Sequence, residues 1–534
     1  MKKTIAILLA AFMMLTMVAC GVNSVAPAAT TSPKTESSTA PTKAEATPPL
    51  AEVKTLSIFI DHTWYPTKTF TGIIPEEITK LTGVKLDPTI AVDDKQLGVM
   101  VASGELPDLV YTWSMKDRLS NADLSYCYDD LIKQYNIPWD ISPLQRGNAL
   151  SLSTDGKVYC VTNHFATTED WKNASFGVPM TASLFYRKDL YEQLGNPKLD
   201  SLDDLTNIFA QVKEKWPDVT PFTFDYNWRF QVMQCWHGLG NWLSFTKMDD
   251  GTYKFYAETD QYKAMLKLLN SWFQKGYMLA DNFAATNTTA LVPYESGKAF
   301  SLSSCTQNNN LSEQVALTKV DQSFISVESK PLASYKYTTT DIGWSGCFIT
   351  KKCKDPEAAI KFMAWQFTPA AQMLTQNGRE GVEYTLDSNG IPKFSDEWMA
   401  AAADGTQVQK YDPWFYLGGS EIAESFGRCA SLKDYDKLYG PQYKAIKDLY
   451  ENWPWIAAAQ PKVGTDEKDI LDSLGANSST GMIANYEAKI IMSATDADFE
   501  ANYSEFVAAM KSAGVEKLDA FMNTSIPEAE KIYK

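Results

Sequence analysis

Between Leu56 and Tyr111 the chain alternates short apolar runs with helical stretches, and this alternation constrains the fold more than any other feature. Leu56-Ser57-Ile58-Phe59-Ile60 reads as a strand, a helix is expected around Pro75–Leu81, and Val84-Lys85-Leu86 reads as a second strand. Asp93–Ala102 then reads as a helix stopped by Gly104, and Leu109-Val110-Tyr111 as a third strand. Strands separated by helical segments of this length return in parallel, with helices covering both faces of the sheet. The expected class is therefore α/β.

Length sets the next bound. From Val22 to Leu50, 21 of 29 residues are Ser, Thr, Ala or Pro, and none is aromatic. Such a segment cannot bury enough apolar surface to offset its ordering entropy, so it reads as a tether with a reach of roughly 30 Å. About 484 residues follow it, more than one hydrophobic core usually organises, which implies two large lobes. Hydrophobic residues make up 45% and aromatic residues 12% of the chain, a supply suited to well-packed cores.

Ahead of the tether stand Lys2 and Lys3, an apolar run from Ile5 to Leu15, and Met17-Val18-Ala19-Cys20-Gly21. A basic start, a short apolar stretch and small residues before a cysteine read as an export signal rather than a membrane span. The last five residues resemble the lipobox of bacterial lipoproteins. The resemblance implies removal of residues 1–19 and a diacylglyceryl group on Cys20, each buried methylene adding ~0.8 kcal/mol of membrane affinity. The mature protein is then expected at the cell membrane, lipid-anchored and facing outward, as in a Gram-positive envelope. After Cys20 no run of eighteen apolar residues occurs. The net charge of −16, which becomes −18 without Lys2 and Lys3, argues against nucleic acid and against charge-driven docking on an anionic bilayer.

Seven cysteines remain beside Cys20: Cys127, Cys160, Cys235, Cys305, Cys347, Cys353 and Cys429. An odd number leaves at least one unpaired, and connectivity is not legible. Buried thiols and disulfides both remain open. The three histidines, His62, His164 and His237, do not cluster with cysteines, so no metal site is expected. Helix signals continue along the chain. Ser201 caps Leu202–Lys215, Tyr262, Met265, Leu266 and Leu269 form one apolar stripe ended by Gly276, and Asp355-Pro356-Glu357 and Thr368-Pro369 each open a helix. The chain from about Ala484 onward reads as helical.

Six segments together point to a family. Ser103-Gly104-Glu105-Leu106-Pro107-Asp108-Leu109-Val110, Asp155-Gly156-Lys157-Val158-Tyr159 and Leu184-Phe185-Tyr186-Arg187-Lys188-Asp189-Leu190 with Leu194-Gly195 are three of them. Ser201-Leu202-Asp203-Asp204-Leu205, Lys354-Asp355-Pro356-Glu357-Ala358-Ala359 and Asn377-Gly378-Arg379-Glu380-Gly381-Val382-Glu383-Tyr384 are the others. In this order, behind a lipobox, they resemble the carbohydrate class of bacterial extracellular solute-binding proteins (family 1), and the last resembles a loop of its larger, oligosaccharide-carrying subfamily. The resemblance implies a two-lobed periplasmic-binding-protein-like fold (type 2), with a hinge between the lobes and the ligand in the cleft at their interface. Lobe one is expected in 51–175 plus 340–400 and lobe two in 176–339 plus 401–534. It further implies delivery of the sugar to the permease subunits of an ABC importer by a monomer, without a cofactor. Some relatives carry a calcium loop where this chain reads Lys213-Glu214-Lys215-Trp216-Pro217-Asp218-Val219-Thr220-Pro221, which lacks the oxygen-ligand spacing calcium needs. No metal is expected there, and Asp249-Asp250-Gly251 reads as a hairpin turn.

Sugars present apolar C–H faces to aromatic rings and hydroxyls to carboxylates, amides and guanidinium groups. Asp61 and Trp64 follow the first strand and Trp113 the third, at carboxyl ends where open α/β sheets bind ligands. Trp344 lies in Asp341-Ile342-Gly343-Trp344-Ser345-Gly346, where the chain is expected to cross between lobes. Trp228, Arg229 and Trp236 sit in a ring-rich segment, Arg379 and Glu380 on the subfamily loop, and Trp414 and Tyr416 in a loop bounded by Pro413 and Gly418. These eleven residues are the expected ligand contacts. Three other readings stand beside capture for import: a sugar sensor or adhesin, a peptide-binding protein of another importer class, and an exported glycoside hydrolase. The last would need two carboxylates about 5 to 9 Å apart across a cleft.

Overall fold

The computed structural model describes residues 52–163, 166–174, 182–240, 242–286, 289–305, 324–326, 337–339, 343–388, 390, 392–413, 417–418, 420–425 and 450–533. The leader, Cys20, the tether, His164, Trp414, Tyr416 and Cys429 lie outside the described residues.

The first sheet runs in the order Gly346–Ile349, Leu109–Thr112, Lys54–Ile60, Val84–Ile90. The last three strands are parallel, as the alternation predicts, and Gly346–Ile349 joins Leu109–Thr112 antiparallel. Pro88 is tolerated because Val84–Ile90 is an edge strand, where a missing N–H leaves no ladder bond unmade. Helix Ile73–Thr82 links the first two strands and ends on Gly83 at φ 71°. Helix Gln96–Ser103 ends on Gly104, also at φ 71°, but begins three residues later than expected. Asp93 spends its carboxylate on the N–H of Lys95 in a turn, which delays the helix. Asp108 fastens this sheet to the following layer: it accepts from Ser57 N (2.8 Å), Ser57 Oγ (2.6 Å) and Lys354 N (2.9 Å). Burial alone would raise its pKa, but these donors and the nearby Lys354 charge hold it below the usual carboxylate range.

The second sheet runs Thr220–Phe224, Ala299–Cys305, Ala182–Arg187, Phe324–Ser326. The first pair is parallel and the others antiparallel. Helix Leu202–Lys215 is capped by Ser201, which accepts from Asp204 N, and Asp355 and Thr368 cap their helices in the same way. Phe245–Lys247 and Tyr253–Phe255 form the hairpin expected around Asp249-Asp250-Gly251, with Gly251 at φ 86°. The chain closes with helices Met482–Ile491, Asp496–Ala513 and Val515–Tyr533.

Two large hydrophobic clusters organise these elements. One surrounds the first sheet and reaches forward to Trp398, Ala401, Tyr411 and Leu417, so it takes in residues beyond 400. The other joins the second sheet to the closing helices, from Leu184 to Ala529. Cys127, Cys160, Cys235, Cys347 and Cys353 are buried free thiols, and Cys305 is buried as well. Burial pushes the Cys160 and Cys353 thiols up to about 12, so they pack as small apolar groups.

The chain passes between the clusters at neighbouring places. Tyr337–Thr339 pairs in parallel with Tyr450–Asn452. Asn452 N donates to Thr168 Oγ1 (2.9 Å) and Asn452 Nδ2 to Ala166 O (3.2 Å). Asn163 N donates to Ser345 O (3.0 Å), and Gly343, at φ 89°, lies so close that a Cβ there would meet Asn163 O at 2.2 Å. Lys462 reaches from the second cluster to donate to Leu150 O and Ser153 O, both at 2.8 Å, at the carboxyl end of helix Pro143–Leu152.

One surface pair has a measurable consequence. Glu258 and Asp519 share a hydrogen bond beside a pocket of about 340 Å³ also lined by Lys254, Val507, Lys511 and Glu516. Burial, the Asp519 hydrogen bond and the Asp519 charge push Glu258 from 4.5 up to about 7. Between those values the folded state keeps a proton the unfolded chain has lost, so this stability is complete below pH 4.5 and declines as pH rises to about 7. Glu258→Gln is expected to match the parent's melting temperature near pH 4 and exceed it near pH 8. Parallel melting curves at the two pH values check this, and an equal offset at both would refute it.

Candidate ligand-binding site

The carboxyl edge of the first sheet gathers residues from three separate stretches of sequence. Strand Lys54–Ile60 delivers Asp61, His62 and Trp64, and strand Leu109–Thr112 delivers Trp113 and Ser114. Strand Gly346–Ile349 runs the other way, with Gly346 opposite Thr112, so the residues before it, Trp344 and Ser345, arrive at the same edge.

His62 is the centre of this group. Its ring stacks on Trp64 (5.0 Å, 21°), meets Tyr111 edge-on (4.8 Å, 82°) and leans on Trp344 (5.2 Å, 54°). Trp64 and Trp344 are themselves 6.1 Å apart. Burial alone pulls the His62 pKa down to about 3, so at neutral pH it is an uncharged ring. Its Nε2 lies 3.3 Å from Ser345 Oγ, and its Nδ1 finds no partner among the described residues. Trp64 and Trp113 are 45% and 53% exposed, while Trp171, Trp272 and Trp398 are buried. An indole held by a rigid support and left half open is a stacking surface.

Polar groups surround the rings. Asp61, 4% exposed, accepts at Oδ2 from Thr112 Oγ1 and Ser114 Oγ, each at 2.7 Å. Burial raises its pKa, the two hydroxyls oppose that shift, and Asp94 adds to it. Lys116 donates to Trp344 O at 2.6 Å. Asn163 Nδ2 donates to Tyr111 OH at 2.5 Å.

The second sheet has an edge of its own. After Phe224 the chain turns through Asp225, whose Oδ1 accepts from Asn227 N (2.7 Å) and Trp228 N (2.9 Å), and whose Oδ2 accepts from Ser304 Oγ (2.9 Å). The turn leaves Arg229 at φ 32°. Arg229 Nη2 lies 3.1 Å from Glu487 Oε2, and its Nη1 donates to Ser479 O at 3.3 Å. Trp228 meets Trp242 edge-on at 5.4 Å, and Trp242 N donates to Gln231 Oε1 at 2.8 Å. Gln231 in turn donates to Asn477 Oδ1 at 3.1 Å. The two edges approach each other: Asp117, four residues after Trp113, lies 4.0 Å from Lys468 on helix Asp466–Leu474, which precedes the Asn477–Ser479 loop.

Of the residues singled out from sequence, Asp61, Trp64, Trp113 and Trp344 lie at one edge, and Trp228 and Arg229 at the other. Trp236 is 4% exposed inside the second cluster. Arg379 is gripped by buried Glu383, donating from Nε (3.0 Å) and Nη2 (2.7 Å), while Glu380 is exposed. The loop that holds Trp414 and Tyr416 begins at buried Asp412, which accepts from Thr71 N at 2.9 Å and so lies against the segment that follows Trp64. Sequence reasoning missed Trp242 and the Gln231–Asn477 bridge. The glycine-rich turn Gly238-Leu239-Gly240 before Trp242 was the available signal. Among the described residues, no group of three or more His, Cys, Asp or Glu is placed to hold a metal ion.

Comparison with known proteins now bears on this arrangement. No curated protein matches the sequence. Solved structures match over nearly the whole chain. The alginate-binding protein AlgQ2, in its structure without calcium ion, is 17% identical, covering 89% of this chain and 98% of its own, with a TM-score of 0.65. The ABC-transporter substrate-binding protein FusA of Streptococcus pneumoniae, in complex with kestose, is 18% identical, covering 90% and 100%, with a TM-score of 0.64. The N-glycan transport solute-binding protein NgtS of the same species is 17% identical, covering 90% and 100%, with a TM-score of 0.61. These likenesses establish the two-lobed α/β fold of solute-binding proteins. The sequence model of the bacterial extracellular solute-binding proteins matches residues 77–381, more than half of the chain, and the protein belongs to that family.

Proposed function

We propose that this protein captures an oligosaccharide outside the cell and delivers it to an ABC importer, held at the membrane by a lipid on Cys20. The observation that carries the reading is the pair Trp64 and Trp344 braced on the uncharged His62 ring, beside the buried Asp61 carboxylate. Stacking faces next to hydroxyl-binding acceptors suit a sugar better than a peptide, whose backbone asks for paired N–H and C=O groups. The edges carrying Trp64 and Trp228 form the two walls of the proposed cleft. The segments 162–163, 166, 337–339, 343–345 and 450–452 serve as the hinge, so that closure on the ligand is the state the permease reads. The ligands of these relatives, alginate, kestose and N-glycan, support a sugar without naming this one. Cys20 and the tether support anchoring, and no helix among the described residues is long and apolar enough to cross a membrane.

Thermal unfolding of residues 51–534 against a panel of oligosaccharides, with short peptides as controls, tests the reading. A ligand specific for the folded state adds about 2.7 kcal/mol at a hundred times its dissociation constant. A shift with one sugar family is the expected result. Stabilisation by peptides alone would transfer the protein to another importer class, and hydrolysis of the sugar would favour an enzyme.

A further inference from the structure

We infer that the ligand is an uncharged oligosaccharide and that Asp61 excludes uronic-acid sugars; this rests on the proposed sugar site and narrows it. The two sugar classes differ by little in shape. A hexose and its uronate differ at C6, as CH2OH against COO⁻, so stacking on Trp64 and Trp344 does not separate them. Charge does.

Asp61 follows the strand that brings His62 and Trp64 to this edge and is 4% exposed, so solvent screens it poorly. Asp94 contributes a second negative charge at this edge, since its field raises the Asp61 pKa. Asp225 places a third buried carboxylate at the opposite edge. Three described cations near these edges, Lys116, Arg229 and Lys468, face protein acceptors. Lys116 donates to Trp344 O, and Arg229 faces Glu487 and Ser479 O. Lys468 holds both oxygens of Asp472 at 2.6 and 2.7 Å.

A uronate bound here would set its charge against Asp61 in a site drained of water, where like charges repel strongly. A neutral sugar meets the same carboxylate as a hydroxyl donor, and the contact becomes a charge-assisted hydrogen bond. The approach is biased the same way. The chain's net charge of −16 slows a polyanion and leaves a neutral ligand unaffected.

The test uses a mixed digest of plant and microbial polysaccharides, split by anion exchange into a neutral and an acidic pool. Residues 51–534 are mixed with each pool, and bound sugar is read by native mass spectrometry. The expected result is a bound mass from the neutral pool only, with affinity unchanged between 50 and 500 mM salt. A bound mass from the acidic pool, or affinity that falls steeply with salt, overturns the inference and leaves sugar capture standing. Binding from neither pool removes the sugar site and the inference with it. Asp61→Asn supplies the second arm, since asparagine keeps the shape and most hydrogen bonds of the site. It is expected to shift the ratio of uronate to neutral affinity by about tenfold toward the uronate, using tetragalacturonate and a neutral galactan tetrasaccharide as probes. An unchanged ratio would take the exclusion away from Asp61.

Discussion

Replacing Trp64 and Trp344 together by alanine is expected to lower oligosaccharide affinity by about a hundredfold or more, the largest loss of any pair at the site. Each ring offers a flat apolar face and loses little conformational freedom on binding, so each contributes ~1–3 kcal/mol. The two sit 6.1 Å apart on one support, and their losses will not simply add. Trp64 is 45% exposed, so its removal alone barely touches the core. Trp344 packs partly against the first cluster, so Trp344→Phe serves as the control that keeps a ring there. Calorimetric titration with the sugar found in the thermal screen gives the numbers. Affinities within twofold of the parent in both single alanine variants would remove the site from this edge.

The same geometry makes His62 the support of both indoles. It fills the space behind both indoles, and at neutral pH it carries no charge that would need water. A phenylalanine there would keep the stack, whereas an alanine would leave a void into which Trp64 could turn.

Much of the fold was legible because its signals are local. The caps Ser201, Asp355 and Thr368 each accept from a backbone N–H three residues on, a geometry written in residue type and spacing alone. The family motifs were legible too, yet several turn out to be structural fastenings. Asp108 pins two segments to its strand, and Arg187 clasps Asp189 and Gly297 O. Asp155 accepts from Tyr159 OH at 2.6 Å. The candidate edge was legible where a residue follows a strand, as Trp64 and Trp113 do. It was not where burial decides. Trp236 lies on Gln231–Trp236, a helix buried on every side, and nothing in a ring-rich sequence separates that case from an open one. Arg379 has Glu383 one helical turn's spacing away, a partner visible in sequence that takes the guanidinium for the protein itself. The meeting of Trp344 with Trp64 depends on an antiparallel strand arriving from more than two hundred residues away, a pairing no local pattern encodes.

Glu487→Ala is expected to cost the fold about 3–5 kcal/mol, the largest single effect on stability, through a charge left without its counterpart. Arg229 is held at φ 32° by the Asp225 turn and points its guanidinium into the second cluster, 5.8 Å from the Phe224 ring and 5.5 Å from that of Phe230. Glu487 faces it at 3.1 Å and also accepts from Tyr262 OH at 2.7 Å. Removing the carboxylate leaves an arginine charge in aromatic surroundings and a buried tyrosine hydroxyl without its acceptor. Urea unfolding measures the loss. Arg229→Met combined with Glu487→Leu is expected to recover most of it, because two apolar side chains leave no buried charge behind. The double variant separates stability from binding. Trp228 precedes Arg229 in the turn and meets Trp242 edge-on, so relaxing the turn frees the lobe-two wall of the proposed cleft. A double variant as stable as the parent but several-fold weaker for sugar would assign the ion pair to the shape of that wall. Full affinity in the double variant would confine the pair to stability.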